Sequence, residues 1–308
     1  MLVKAMKLKR QILKTLLAAV VLTSFLPVRA EDAPTVKRIL FFSKSSGFEH
    51  STIKRGPNGE PSYVEKVLQQ IGASNHFEFT FSKDGSIFTP ENIARFDAFF
   101  FHTTGDLTTA GTDKNPPMSQ EGKRAFLQAI KDGKGFIGTH CASDTFHSAG
   151  YDPSKDNYNS NGDNTDPYVK MLGGEFIIHG AQQPTHLIVV DPKFPGMSAV
   201  PADFGPLEEW YALKNFAPDL HVLLIEDTKG MQGRMYQRAP YPSTWAHLFG
   251  RGHVFYTNMG HREDVWDNPV FQAVLIGGIN WAVHNVDADV SPNLNEATPK
   301  ANETLAAP

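Results

Sequence analysis

The chain has 308 residues and a single cysteine. Cys141 alone cannot form an intramolecular disulfide, so a disulfide framework and a cysteine-built zinc site are both excluded. Any metal site must rest on histidine and carboxylate ligands. Long apolar runs are equally scarce. The clearest one, Thr15 to Pro27, is about 13 residues long, too short for a comfortable membrane span. It follows Lys4, Lys7, Lys9, Arg10 and Lys14, and it precedes Val28-Arg29-Ala30, which places small residues at −3 and −1 of a cleavage point. Residues 1–30 therefore read as a secretory signal peptide cut before Glu31, with an uncleaved membrane anchor as the alternative. No later segment reaches about 18 consecutive apolar residues. The mature chain is expected to be soluble and exported, either periplasmic or secreted.

A basic excess is also missing. The whole chain carries 29 Lys and Arg against 33 Asp and Glu. The leader holds six of the basic residues and none of the acidic ones, which leaves 23 basic side chains against 33 acidic ones. Such a balance argues against a nucleic-acid surface, which needs a basic stripe to meet phosphates, and against anionic lipid. A neutral or cationic small ligand, or a metal, is easier to accommodate. The sequence has no HExxH, no Walker loop and no GxGxxG, which disfavours a zincin, a nucleotidase and a dinucleotide oxidoreductase, so no nucleotide cofactor is expected.

What is present is an ordinary globular composition, 41% hydrophobic and 20% charged, patterned as alternating strands and helices. Arg38 to Ser43, Asp97 to His102 and Gly135 to Thr139 are short apolar runs without alternation, the pattern of parallel strands covered on both faces. Phe77 to Phe81 alternates as another strand. Ser62 to Ile71 has apolar residues at helical spacing and Gly72 as its expected C-cap, while Ser119 caps a helix running to Asp132. This order predicts a parallel sheet with right-handed crossovers. Further strands are expected at His186 to Val190, Glu208 to Leu213 and Val222 to Glu226. Thr244 to Phe249 and His253 to Asn258 flank a Gly-Arg-Gly hairpin turn, and Pro269 to Val283 is a final helix. The polar loops Lys114 to Met118 and Asp152 to Pro167 suggest a rim over a site. One α/β domain over 31–286 is expected, followed by a disordered tail at 287–308 rich in Asn, Pro, Ala and Glu.

Twelve histidines stand out against the single cysteine. In open α/β sheets ligands bind beyond the carboxyl ends of the strands. His50 follows the first strand, His102 closes the third, His140 closes the fourth, and His261 follows the strand ending at Asn258. All four belong on one edge of the sheet. In Glu208-Glu209-Trp210-Tyr211, strand alternation sends Glu209 and Tyr211 to one face and Glu208 and Trp210 to the other. An inward Glu209 would complete a His/Glu metal site or act as a general base. Gly138-Thr139-His140-Cys141-Ala142 resembles a nucleophile elbow with His140 at its centre and Cys141 displaced by one, so Cys141 reads as a small buried residue. Asp144 is a candidate to orient His140. His179 is placed at the rim and His247 is ambiguous. His147 and the remaining histidines show no partner pattern.

These residues carry a resemblance. Gly47-Phe48-Glu49-His50, Phe101-His102-Thr103-Thr104-Gly105 and Lys134 to His140 occur in order. They are followed by Leu172-Gly173-Gly174-Glu175-Phe176 with His179, Glu208 to Tyr211, Tyr256 to His261, and Gly277 to Ala282. The sequence from about Lys37 to His284 resembles the ThuA-like family, named for trehalose utilisation, within the class I glutamine amidotransferase-like superfamily. The resemblance implies a flavodoxin-like three-layer α/β sandwich without the amidotransferase cysteine, a link to sugar utilisation, and in some relatives a divalent metal, with zinc the first expectation. Carried over to this chain, His50, His102, His140, Glu209 and His261 would form the metal set, with His140, Glu209 and His261 catalytic. Phe48, His179, Trp210 and Tyr211 would offer surface to a small carbohydrate ligand.

Two readings of function follow. The first is an exported hydrolase, isomerase or lyase acting on a sugar, keto-sugar or glycoside, with or without metal assistance. The second is a non-catalytic carbohydrate-binding or scaffold domain on the same fold. A cysteine hydrolase is a third, weaker option.

Overall fold

The computed structural model describes residues 35–152 and 157–305. The leader, and with it the choice between cleaved peptide and anchor, lies outside the described residues. No helix among them is long and apolar enough to cross a membrane.

Twelve strands are formed among the described residues: β1 (Lys37–Phe42), β2 (Phe77–Ser82), β3 (Ala98–Phe101), β4 (Gly135–Thr139), β5 (Glu175–His179), β6 (Gln183–Pro184), β7 (His186–Val189), β8 (Leu207–Glu208), β9 (Tyr211–Lys214), β10 (His221–Asp227), β11 (Tyr241–Phe249) and β12 (Gly252–Thr257). Eight of them make one sheet in the order β2-β1-β3-β4-β12-β11-β10-β7. The pairings from β2 through to β12 are parallel, and those among β12, β11, β10 and β7 are antiparallel. The mostly parallel sheet expected from the sequence is thus present, extended on one side by an antiparallel flank that begins at the β11–β12 hairpin. Two short ladders, β5 with β9 and β6 with β8, lie outside it.

Seven helices among the described residues accompany the strands: α1 (Tyr63–Asn75), α2 (Pro90–Ala94), α3 (Gln120–Lys131), α4 (Pro167–Leu172), α5 (Glu263–Trp266), α6 (Pro269–Ala282) and α7 (Leu294–Ala297). The apolar runs of the parallel strands face two cores at once. Ile39, Phe41, Phe100, Ile137 and Phe255 join α1 and α6 on one side. Leu40, Phe42, Phe99, Phe101, Phe136, Val254 and Tyr256 join α3 and α4 on the other. Successive strand residues point to opposite faces, so a run with no polar alternation is what a doubly covered strand requires. Each large side chain taken fully out of water contributes roughly 1.5–3 kcal/mol before entropy is charged. The result is a three-layer sandwich.

Three expectations need correction. The first helix does not stop at Gly72. It continues to Asn75 and closes on His76 in the left-handed conformation, φ 58°. Gly72 serves another purpose, because a Cβ there would lie 2.6 Å from the Phe77 carbonyl as the chain turns back into β2. The strand expected over Glu208 to Leu213 is broken into β8 and β9, with Glu209 and Trp210 between them. The tail, as far as residue 305, is not disordered. Asn293 pairs with the backbone of Val222 through its side-chain oxygen (2.6 Å) and nitrogen (3.2 Å), and Asn302 does the same for Phe216 (2.9 and 3.0 Å). Leu294 and Ala301 are buried beside them. A composition typical of disorder is overridden here by two asparagines that imitate strand partners.

Deleting residues 293–308 should therefore destabilise the domain by about 3 kcal/mol, the worth of one buried leucine and a few backbone hydrogen bonds. Urea unfolding of the truncated and full chains measures the difference, and equal midpoints would show the tail to be an idle appendage.

Candidate functional site: a His/Glu cluster at the carboxyl edge of the sheet

β1, β3, β4 and β12 lie side by side and parallel, so their carboxyl ends open on one edge. His50 comes after β1, His102 directly after β3, His140 directly after β4, and His261 shortly after β12. The structure brings all four together. Ring centroids of His50 stand 5.0 Å from His140, 5.1 Å from His261 and 5.8 Å from His102. His140 and His261 are 5.1 Å apart. His50, His102 and His140 are buried, and the His261 side chain is 18% exposed.

His140 occupies the centre of the turn between β4 and a short 3-10 helix, His140–Asp144, and its φ is 44°. A non-glycine residue in this region is strained and persists only where surrounding contacts determine it. Here Tyr256 donates its hydroxyl to the His140 carbonyl (2.7 Å), and the imidazole Nδ1 bonds the Asn258 carbonyl (3.2 Å). A carbonyl can only accept, so Nδ1 carries the proton and Nε2 is a lone pair. That lone pair faces the segment between β8 and β9. Glu209 Oε2 lies 3.6 Å from His140 Nε2 and 3.1 Å from His261 Nδ1, and those two nitrogens are 3.2 Å apart. Neutral His140 has no proton to offer on this side. In the absence of a cation, one proton on His261 Nδ1 must serve both Glu209 and His140.

This triangle fits a metal ion. A point equidistant from the three atoms lies about 1.9 Å from each, against the roughly 2.0–2.2 Å of zinc bonds to nitrogen and oxygen. Ligand atoms of His50, His140, Glu209 and His261 all fall within 4.8 Å of one another, and His50 Nδ1 is a buried nitrogen without a hydrogen-bond partner among the described residues.

The electrostatics agree. Burial, helped by its charged-form competition with His261, pulls His140 down to about 4, and burial followed by the neighbouring imidazoles holds His50 well below the usual histidine range. Burial pulls His102 down as well. Burial also pushes the Glu209 carboxyl upward, but its contact with His261, the neighbour with a proton to donate, opposes this, and the carboxyl is held below the usual carboxylate range. Neutral imidazoles with an ionised carboxylate are the protonation states that bind a cation.

Other expected site residues are placed as follows. Phe48 is 69% exposed and meets His50 edge-on at 5.1 Å. His179 Nδ1 lies 3.0 Å from the Gly180 carbonyl and 3.3 Å from Glu209 Oε1, with the side chain 42% exposed. The Tyr211 ring packs 4.1 Å from His140, and its hydroxyl is 3.4 Å from His50 Nε2. Glu209 and Tyr211 thus share a side, as alternation required, despite the break in the strand.

Three assignments are corrected. Trp210 is fully buried and donates its indole N–H to the Gln183 carbonyl (2.8 Å), so it offers no surface to a ligand. Asp144 does not orient His140; it pairs with His147 Nε2 at 2.8 Å, and Asn258 takes the orienting role. His102 stands behind the cluster, its Nδ1 bonded to Thr139 Oγ1 (2.9 Å), and its ligand atom groups with those of His50 and Cys141 instead. Cys141 is itself fully buried, and burial pushes its thiol well above the ordinary value, the reverse of what a nucleophile needs.

The sequence reading missed several participants. Beside His261 opens a cleft of about 490 Å³ lined by Tyr63, Gln182, Arg262 and Asp267 among others. Glu208, buried, accepts only backbone N–H groups (Glu209, Gly260, His261), and burial pushes its carboxyl up to about 7 against them. His147 is held between Asp144 and Glu175 Oε1, 3.5 Å away, and lines a separate cleft bordered by the loop after β4. The sequence places Glu208 only on the face opposite Glu209 and gives the others no local signal, because the partners are brought together only by the fold.

Behind Asn258, Glu226 accepts from Tyr241 Oη (2.6 Å) and Asn258 Nδ2 (3.1 Å), and burial pushes it up to about 8. The folded state thus holds this proton more tightly than the unfolded chain. Its stabilising contribution is complete below the ordinary carboxyl value and is lost as pH rises through about 8. Glu226→Gln, neutral at every pH, should lose less stability than the native chain between about pH 5 and pH 8. Urea unfolding at the two values checks this, and parallel losses would contradict it.

Comparison with known proteins bears on the whole domain. The family model described as ThuA, trehalose utilisation, matches residues 38–282. The chain is similar to a solved ThuA-like protein from Bacteroides uniformis, at 20% identity over 86% of this chain and 98% of that one, with a TM-score of 0.59. It is also similar to one from Parabacteroides merdae, at 19% identity over 82% and 92%, with a TM-score of 0.53. At these identities the likeness is one of fold. Among curated proteins there is no match. Since the family match runs from β1 to the last residue of α6 and takes in every residue of the His/Glu cluster, the chain belongs to the ThuA, trehalose utilisation, family.

Proposed function

We propose that this protein is an exported, metal-assisted enzyme of carbohydrate utilisation, acting on a sugar, keto-sugar or glycoside. The observation that carries the reading is the triangle of His140 Nε2, His261 Nδ1 and Glu209 Oε2, whose dimensions suit a zinc-sized ion and whose lone pairs otherwise share one proton. Export is supported by the composition of the leader, and carbohydrate as substrate by membership of a family described by trehalose utilisation.

His140, Glu209 and His261 would hold the ion, with His50 as fourth ligand. A bound divalent ion would supply Lewis acidity toward a carbonyl or hydroxyl oxygen. The chain's own groups do the rest. With its Nδ1 directed to the Gly180 carbonyl, His179 presents Nε2 as a lone pair at the rim, suited to taking or returning a proton. The exposed Phe48 offers an aromatic face to the apolar side of a sugar ring. The polar cleft beyond His261 gives room for hydroxyl groups, with carboxylates as acceptors and Gln182 and Arg262 as donors. Tyr211, packed on His140, keeps the inner wall of the site dry.

The test is to incubate purified mature protein, with and without chelator, with a panel of glycosides and keto-glycosides. Turnover should require metal, and His140→Ala and Glu209→Ala should each lower it at least about 100-fold with an unchanged circular dichroism spectrum. Full activity in both variants would sink the proposal. Sugar binding with neither metal nor turnover would mark the protein as a binding module.

A further inference from the structure

Glu208 is fully buried, yet no basic side chain pairs with it among the described residues. Its two oxygens are used on backbone alone. Oε1 accepts from the Glu209 N–H (2.9 Å), and Oε2 accepts from Gly260 (2.8 Å) and His261 (3.1 Å). Two of these three donors belong to residues of the His/Glu cluster that are 52 positions apart in the chain. We infer that Glu208 is a positioning residue for the metal centre, setting the backbone of Glu209 and His261 relative to each other. The inference rests on the metal reading given above.

The surroundings show why a carboxylate is needed. Glu209 lies outside any strand, between β8 and β9, so no ladder holds it. His261 follows Gly260, whose φ of 126° suits only glycine, and both lie beyond the end of β12 at Thr257, so no ladder holds that turn either. Trp266 secures the far side by donating its indole N–H to the Gly260 carbonyl (2.8 Å). The near side depends on Glu208. Only a carboxylate has acceptors on both oxygens. An amide in the same place has one oxygen and one NH₂, so in either orientation at least one backbone N–H faces another donor. Substituting glutamine therefore loosens one ligand while preserving side-chain size. Partners that orient metal ligands typically change affinity 10- to 100-fold when removed.

The experiment uses the full mature chain and Glu208→Gln. Zinc affinity is measured by competition with a chromophoric chelator. The visible spectrum of the cobalt form reports ligand geometry, and urea unfolding in excess chelator reports the stability of the metal-free fold. The expected result is zinc affinity 10- to 100-fold weaker and an altered cobalt spectrum, at urea concentrations where the variant is fully folded. Unchanged affinity and spectrum with lowered metal-free stability would overturn the inference and leave Glu208 a stabiliser of the fold. A native chain that binds neither zinc nor cobalt would overturn both this inference and the metal reading, whereas tight native binding matched by the variant overturns the inference alone. If Glu208→Gln does not fold, Glu208→Asp carries the same comparison, since it keeps the charge but withdraws both oxygens by one methylene.

Discussion

The arrangement depends on one constraint: three imidazoles from neighbouring strand ends, those of His50, His102 and His140, meet where burial disfavours their charged forms. His50, His102 and His140 are buried and each is held below the ordinary histidine range, chiefly by burial. Charging any one would place a cation in a poorly solvated site beside others able to charge. The cluster therefore presents lone pairs, and lone pairs repel unless a proton or a cation lies between them. His140 makes the point most sharply, because its proton is committed to the Asn258 carbonyl and its free nitrogen is aimed at a carboxylate. Glu209 supplies the one negative charge that makes the convergence useful.

The sheet explains how such a site is assembled. Parallel strands end together, and the β1–β3–β4–β12 order places the four histidine-bearing ends next to one another. Two apolar layers hold these ends in register, so the positions of the imidazoles are inherited from the core. The carboxylate comes from elsewhere. Glu209 stands between two short strands outside the main sheet, and needs its own anchors: Trp210 tied to Gln183, Tyr236 donating to the Trp210 carbonyl (2.6 Å), and Glu208 tied to the turn before His261. A rigid histidine set and a separately anchored carboxylate divide the site into two structural parts.

That division also marks what could be read from the sequence. The parallel strands were legible because burial on both faces leaves an unbroken apolar run, and the end of each run located a histidine. That Glu209 and Tyr211 share a side was legible from alternation, which left open whether that side faces the histidines. The roles of Trp210 and Asp144 were not. A tryptophan beside a carboxylate has the same composition whether it faces a ligand or is sealed in the core, and the Gln183 carbonyl that decides the matter is 27 positions away. Asp144 is close to His140 in sequence, but the 3-10 turn directs it to His147. The tail was misread for a related reason: asparagine and proline signal irregular backbone, and irregular backbone can still be bonded side chain to main chain, as Asn293 and Asn302 show.

The position of Cys141 follows from the same turn. A turn like that after β4 presents one side chain to the open edge and sends the next into the core. Here the residue aimed at Glu209 is His140, itself buried and with φ in the left-handed region, and the next is a thiol packed among the apolar side chains of the core. Moving a cysteine by one place would exchange a soft nucleophile for a neutral nitrogen ligand while leaving the strand, the turn and the core unchanged. Burial pushes Cys141 away from the thiolate form, while the Asn258 carbonyl keeps the His140 lone pair directed at Glu209. The turn therefore serves ligand convergence in this chain, and covalent catalysis at Cys141 would require refolding the element that holds the cluster together.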